Sequence, residues 1–271
     1  MSKSYFKHNR HTHTARTHTN GYNDLIPLGV YNSSGFDPKS LSAPLMTWFD
    51  GTQGLTSSSW TNSGTFGGSA TLSNTIIVTV NGLTACNFKN GNSYGAFQWK
   101  FSPGQDSRAI FGVWKLPAQL TTGQSSFQIA EQNNSFYWAC ATIYGSATTN
   151  LLFTVSYNQT FLIYSNPNTT INDAVYNTLG LSYDATSTSS PNNYITLNGT
   201  AVGSSAGNDT GFYDSGNVTN AWLNGGGTSG GGAPTSNVGM VLCEILAYDG
   251  IVTPSDATKV TNYLRTKWGT A

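Results

Sequence analysis

The sequence predicts an all-β fold, a sandwich or jelly roll of two antiparallel sheets, with an extended N-terminal arm and one short C-terminal helix. Three observations carry this expectation. Short runs of β-branched and aromatic residues recur from Pro44 to Tyr248, separated by turn residues at intervals of ~8–12. Several runs alternate with period two: Leu151, Phe153, Val155 and Tyr157 share one face, and Leu152, Thr154 and Ser156 share the other. The composition also excludes the main competitors. Only 9% of the 271 residues are charged, against ~25% in an average soluble domain, while 13% are aromatic. Long solvated helices need Glu, Lys and Arg, and the chain holds two glutamates, Glu131 and Glu244. No apolar run approaches the ~20 residues that a membrane-spanning helix requires.

Residues 1–43 read as a basic, His/Thr-rich arm and extended linker, and residues 44–271 as one domain. The segment His11–Thr19 is low in complexity, and Gly21–Ala43 has turn residues without periodicity. Strands are then expected at Leu45–Phe49, Ile76–Val80, Ala96–Phe101, Ala109–Lys115, Phe127–Ala130, Phe136–Tyr144, Leu151–Tyr157, Leu179–Tyr183, Tyr194–Leu197 and Val238–Tyr248. Asn198-Gly199 is a two-residue hairpin turn, because both positions require positive φ. The Gly-rich stretch 225–232 lacks the Gly-Lys-Ser/Thr ending of a phosphate loop and reads as a hairpin loop. The helix is written at the end. Thr253 caps it, Pro254 occupies its first position and Asp256 its first turn. Ala257, Val260, Leu264 and Trp268 form one apolar stripe, Arg265 and Lys267 sit where the helix dipole favours cations, and Gly269 ends it.

The formal net charge of zero hides a division. Residues 1–20 contain Lys3, Lys7, Arg10 and Arg16 and no acid, which leaves eight bases against twelve acids in the rest of the chain. All four histidines (His8, His11, His13, His18) lie in the arm without a fixed metal-ligand spacing. Cys86, Cys140 and Cys243 are odd in number and far apart, and read as buried free thiols in strands. No apolar run occurs in the first twenty residues, so no secretory leader is expected, and the seven Asn-x-Ser/Thr sequons are not taken as glycosylation sites.

Two segments resemble the laminin-G-like branch of the concanavalin A-like lectin/glucanase superfamily. Pro44-Leu-Met-Thr-Trp-Phe-Asp50, Trp60-Thr-Asn-Ser-Gly64 and Asn81-Gly-Leu-Thr-Ala-Cys-Asn-Phe88 are similar to its opening strands and turn, with Thr84 where proline is usual. Cys243-Glu-Ile-Leu-Ala-Tyr-Asp249 and Tyr263-Leu-Arg-Thr-Lys-Trp-Gly269 are similar to its closing strand and helix, and Leu181-Ser-Tyr-Asp184 with Asn198-Gly199 to a middle hairpin. The resemblance spans about residues 44–269 and implies a concanavalin A-like jelly roll. It leaves function open among lectins, glycosidases, adhesion modules and virion proteins.

The chemistry of the residues narrows this. Hydrolysis by a glucanase of this superfamily would need the carboxylate motif Glu-x-Asp-x-x-Glu, which is absent. Glu244 reads as structural, Glu131 as solvated, and Asp50 and Asp249 as acceptors for turn donors. The body has no histidine to serve as the base of a serine or cysteine triad. No catalytic residue, cofactor or metal is therefore assigned, and the thin acidic loop of Asn208, Asp209 and Asp214 is the best calcium candidate. Trp48, Trp99, Trp114, Trp138 and Trp268 are expected in the core, whereas Trp60, Tyr213 and Trp222, near Ser/Thr/Gly-rich loops, are the candidates for sugar stacking, with loop packing as the competing role.

The leading expectation is a non-enzymatic structural protein, a minor capsid or capsid-associated protein of a large virus, located in the virion. Its arm residues Lys3, Lys7, Arg10 and Arg16 would dock on neighbouring capsid subunits or touch nucleic acid. The alternative is a glycan-binding or adhesion module on a cell or particle surface, and the third reading a divergent glycoside hydrolase.

Overall fold

A computed structural model describes residues 35–89, 93–99, 107–115, 129–133, 136–145, 149–157, 160–166, 175–184, 190–204, 219–224 and 239–270, with the backbone alone across 129–166 and at Trp99, Gly203, Ser204 and Thr219. In chain order the strands are β1 (Leu45–Asp50), β2 (Ser59–Thr61), β3 (Ser69–Ser73), β4 (Thr75–Val80), β5 (Leu83–Phe88), β6 (Tyr94–Trp99), β7 (Arg108–Lys115) and β8 (Ile129–Asn133). They continue as β9 (Phe136–Gly145), β10 (Thr149–Tyr157), β11 (Thr160–Asn166), β12 (Asn177–Tyr183), β13 (Tyr194–Leu197), β14 (Thr200–Ser204), β15 (Thr219–Leu223) and β16 (Met240–Asp249), and the chain closes with helix α1 (Pro254–Trp268).

The strands form two eight-stranded sheets. The first runs β14-β13-β12-β7-β16-β5-β4, with β1 also paired to β16, and the second runs β11-β10-β9-β8-β15-β6-β3-β2. Every pairing is antiparallel, as the sequence predicts. Hairpin turns fix register where expected: Asn198 and Gly199 have φ of 52° and 82°, and Asn81-Gly82 repeats the device between β4 and β5 with 48° and 82°.

Two apolar layers result. Between the sheets lie Phe49, Trp114, Leu242 and Ile245 from the first sheet, facing Trp60, Leu72, Phe97 and Leu223 from the second. On the other face of the first sheet, Phe111, Val113, Leu246 and Tyr248 meet Val260, Leu264 and Trp268 of α1. The first sheet is thus covered on both faces, which is why β7 and β16 read as nearly unbroken apolar runs and why even the alternating β12 is buried along its whole length. Helix α1 ends as its sequence specifies: Thr253 Oγ1 accepts from Asp256 N at 3.2 Å, and Gly269, at φ 63°, donates to the Arg265 carbonyl.

Residues 36–43, read as linker, pack on the domain. Asp37 caps a short 3₁₀ turn at Pro38–Ser40, Tyr248 donates its hydroxyl to Pro38 O at 3.1 Å, and Phe36 meets Tyr263 edge-on. The basic residues Lys3, Lys7, Arg10 and Arg16 lie outside the described residues. So do Tyr213, the Asp209/Asp214 loop and the Gly-rich stretch. Among the described residues, no helix is long and apolar enough to cross a membrane.

Cys86 and Cys243 are buried free thiols, and burial pushes Cys86 up to about 12 and Cys243 well above its ordinary value. Both thiols are therefore held in the protonated, unreactive form at pH 8. Iodoacetamide at that pH is expected to leave both unmodified in the native protein and to alkylate both in urea. Peptide mapping by mass spectrometry checks this, and native alkylation at either position would contradict the packing.

Candidate functional site

One buried polar cluster and one open cleft contain the residues with functional chemistry. The cluster forms where β1, β16 and α1 meet. A register shift between Leu242 and Glu244 in β16 makes Cys243 an extra residue, so Cys243 and Glu244 both fall on the helix side of the sheet. Glu244 lies directly opposite Asp50 of β1, and two carboxylates in that register repel. Lys267 resolves the conflict, with Nζ 2.7 Å from Asp50 Oδ2 and 2.8 Å from Glu244 Oε2. Trp48 Nε1 and Tyr263 OH donate to Glu244 Oε1 at 2.7 and 2.9 Å, and Trp268 Nε1 donates to Oε2 at 2.7 Å. Asp50 also accepts from Thr52 N and Oγ1 and from Gln53, which closes the turn after β1. Burial raises the Glu244 carboxyl pKa, with the Lys267 ammonium pulling the other way.

This geometry explains the resemblance motifs. The glutamate of the closing strand and the Tyr…Lys-Trp of the helix are one hydrogen-bonded unit that holds α1 to the sheet. Glu244 and Asp50 are 0% and 1% exposed, so neither presents a carboxylate to a ligand here. Thr84, at the position where proline is usual, donates its hydroxyl to the Gly51 carbonyl and ties β5 to the same turn.

The cleft lies on the second sheet. Ala70, Leu72, Phe97, Ala221 and Leu223 point into the inter-sheet core, so their alternates Thr71, Gln98, Asn220 and Trp222 occupy the outer face. Register sets them side by side: Ala96 lies between Thr71 and Trp222, and Gln98 opposes Asn220. One wall is the loop between β2 and β3, which Asn62 holds in place. Its Oδ1 accepts from Trp48 N at 2.7 Å and Gly64 N at 2.9 Å, and its Nδ2 donates to Gly67 O at 2.9 Å. Gly64 must remain glycine, because a Cβ there would overlap the Met46 carbonyl, 2.6 Å from its carbon. The loop seats the half-buried ring of Phe66 beside the outer face. The space is about 620 Å³, its lining includes Asn62, Phe66, Gln98, Asn220 and Trp222, and among the described residues none that lines it is charged.

Of the aromatic candidates, the structure brings Trp222 to this cleft, where 6% of its surface is exposed and it offers a ring margin rather than an open platform. Trp60 requires a correction. It is 0% exposed, packs 5.6 Å from Phe49 and donates Nε1 to Asp50 O at 2.9 Å, so it has no face left for a sugar. Phe66, Gln98 and Asn220 went unrecognised in the sequence. Strands β3 and β15 are short and carry few alternating apolar residues, and the only hint was the uncharged amide and hydroxyl composition around Trp222.

No family model matches this chain, and no curated protein matches it. Solved structures share its architecture, which is a two-sheet antiparallel β-sandwich. The binding domain of botulinum neurotoxin DC, in complex with SialylT, superposes with a TM-score of 0.58 at 9% identity, over 82% of this chain and 51% of that one. A structure described under cell entry of botulinum neurotoxin type C through two ganglioside molecules gives 0.56 at 8% identity, over 82% and 51%. Trypanosoma rangeli sialidase in complex with sialic acid gives 0.54 at 12% identity, over 82% and 33%. This chain therefore spans about half the length of the toxin chains and a third of the sialidase. At these identities the likeness establishes the fold.

Proposed function

We propose that the protein is a concanavalin A-like, laminin-G-like module that binds a neutral glycan segment in the cleft on the second sheet, without catalysis, as a surface or extracellular recognition domain. The observation that carries this reading is the cleft's lining: amides and hydroxyls in register across three strands, the rings of Phe66 and Trp222 at the side, and no charge among the described residues. Sugars offer many hydroxyls and apolar ring faces, and such a lining meets both without the desolvation cost of a buried ion. The similar architecture of ganglioside- and sialic-acid-associated structures supports the reading at the level of the fold alone. The absence of a carboxylate from the lining among the described residues favours binding over hydrolysis. The capsid-associated role draws support from none of the comparisons.

Glycan-array binding is expected to fall at least about tenfold in Gln98→Ala/Asn220→Ala, the loss of two neutral hydrogen bonds at about 1 kcal/mol each. Affinity should be flat from pH 5 to 9, since among the described residues no titratable side chain lines the cleft. A wild-type protein that binds no glycan, or one whose binding survives the double substitution, would end this reading.

A further inference from the structure

A second cavity, a groove of about 610 Å³, runs between α1 and the β13–β14 hairpin and shares no lining residue with the cleft. Among the described residues, Arg265 is the only charged one that lines it. The other two cations of α1 are neutralised: Lys259 by Asp256 at 2.7 Å, and Lys267 by Asp50 and Glu244. Arg265 pairs with no carboxylate among the described residues, and its Nε is buried without a hydrogen-bond partner. The helix dipole accounts for a cation in the last turn but not for where this one lies. The guanidinium folds over the Asn198-Gly199 turn, where a Cβ on Gly199 would stand 3.1 Å from Nη1. The acids on the flanking segments are engaged elsewhere, Asp184 by Ser190 and Asn192 and Asp256 by Lys259 and Thr253.

We infer that this groove binds a carboxylate-bearing sugar residue, with the Arg265 guanidinium as the carboxylate contact. A planar guanidinium matches a carboxylate in shape and charge, and the volume suits a small ligand. The rest of the lining mixes polar groups with apolar surface, as a sugar's hydroxyls and ring face require. Thr196, Thr258 and Asn262 supply hydroxyl and amide groups, and Tyr194 and Pro191 supply apolar surface. The inference rests on Arg265 and stands whether or not the neutral cleft binds glycan.

The test is an NMR titration of the full chain with glucuronic acid and N-acetylneuraminic acid, each beside its neutral methyl ester. The free acids are expected to bind about tenfold or more above the esters and to lose about tenfold or more in Arg265→Gln, as a charge-assisted contact of 1.5–3 kcal/mol implies. Ala201→Trp, at an exposed position on the groove wall, should block binding while leaving the melting temperature unchanged. Equal binding of acid and ester, undiminished binding by Arg265→Gln, or preference for an acetylated acidic tripeptide over both acids would overturn the assignment.

Discussion

Alanine at Glu244 is expected to cost the domain about 3–5 kcal/mol, the range seen when one partner of a buried ion pair is removed. The substitution deprives four donors of their acceptor at once: the indole N–H groups of Trp48 and Trp268, the Tyr263 hydroxyl and the Lys267 ammonium. Lys267 keeps Asp50, but its side chain is only 6% exposed and cannot regain water without displacing the end of α1. Glu244→Gln should be milder, because the amide oxygen still accepts from part of the cluster and Lys267 retains one carboxylate. Adding Lys267→Met to Glu244→Gln should cost less than the sum of the two single changes, since the partners are coupled. Urea unfolding followed by circular dichroism measures all four proteins. A loss below about 1 kcal/mol for Glu244→Ala would mean that the cluster does not hold the helix.

Asn62→Ala is expected to remove stability and ligand binding together. It orphans the buried N–H of Trp48 and the part-buried N–H of Gly64 and carbonyl of Gly67, where a fully buried group left unpaired costs about 1–3 kcal/mol. Water will reach some of them, so a total of about 2–5 kcal/mol is expected. The same side chain fixes the loop that carries Phe66 to the cleft. Binding at the cleft should therefore weaken more than in Gln98→Ala/Asn220→Ala, even at temperatures where the variant is fully folded. A variant that keeps wild-type stability and wild-type binding would show that this loop is not held by Asn62.

Much of the first sheet was legible because its physics is local. Continuous apolar runs in β7 and β16, the alternation of Leu179, Leu181 and Tyr183 in β12, the Asn198-Gly199 turn and the full capping pattern of α1 each state their structure in a few neighbouring residues. Strands β2, β3 and β15 were illegible for the same reason. Ser59–Thr61 contributes Trp60 inward and Ser69–Ser73 contributes Ala70 and Leu72, with polar residues on the outer face, too few to mark a strand before β2 pairs with β3 and β3 with β6. Trp60 shows the limit in one residue: its Ser/Thr/Gly-rich surroundings suggest exposure, and only the approach of Phe49 and the Asp50 carbonyl removes it from the surface.

By itself the sequence determined an all-β body of low charge, its closing helix and the motif that joins them, because alternation, capping and turn chemistry act over a few residues. Tertiary structure alone decided which polar groups meet: Glu244 with Lys267 and two indoles, the amides of Gln98 and Asn220 across a sheet, and an unpaired Arg265 beside a hairpin. Those encounters join positions up to 196 residues apart. Register and helix docking set them, and neither is written in any single segment.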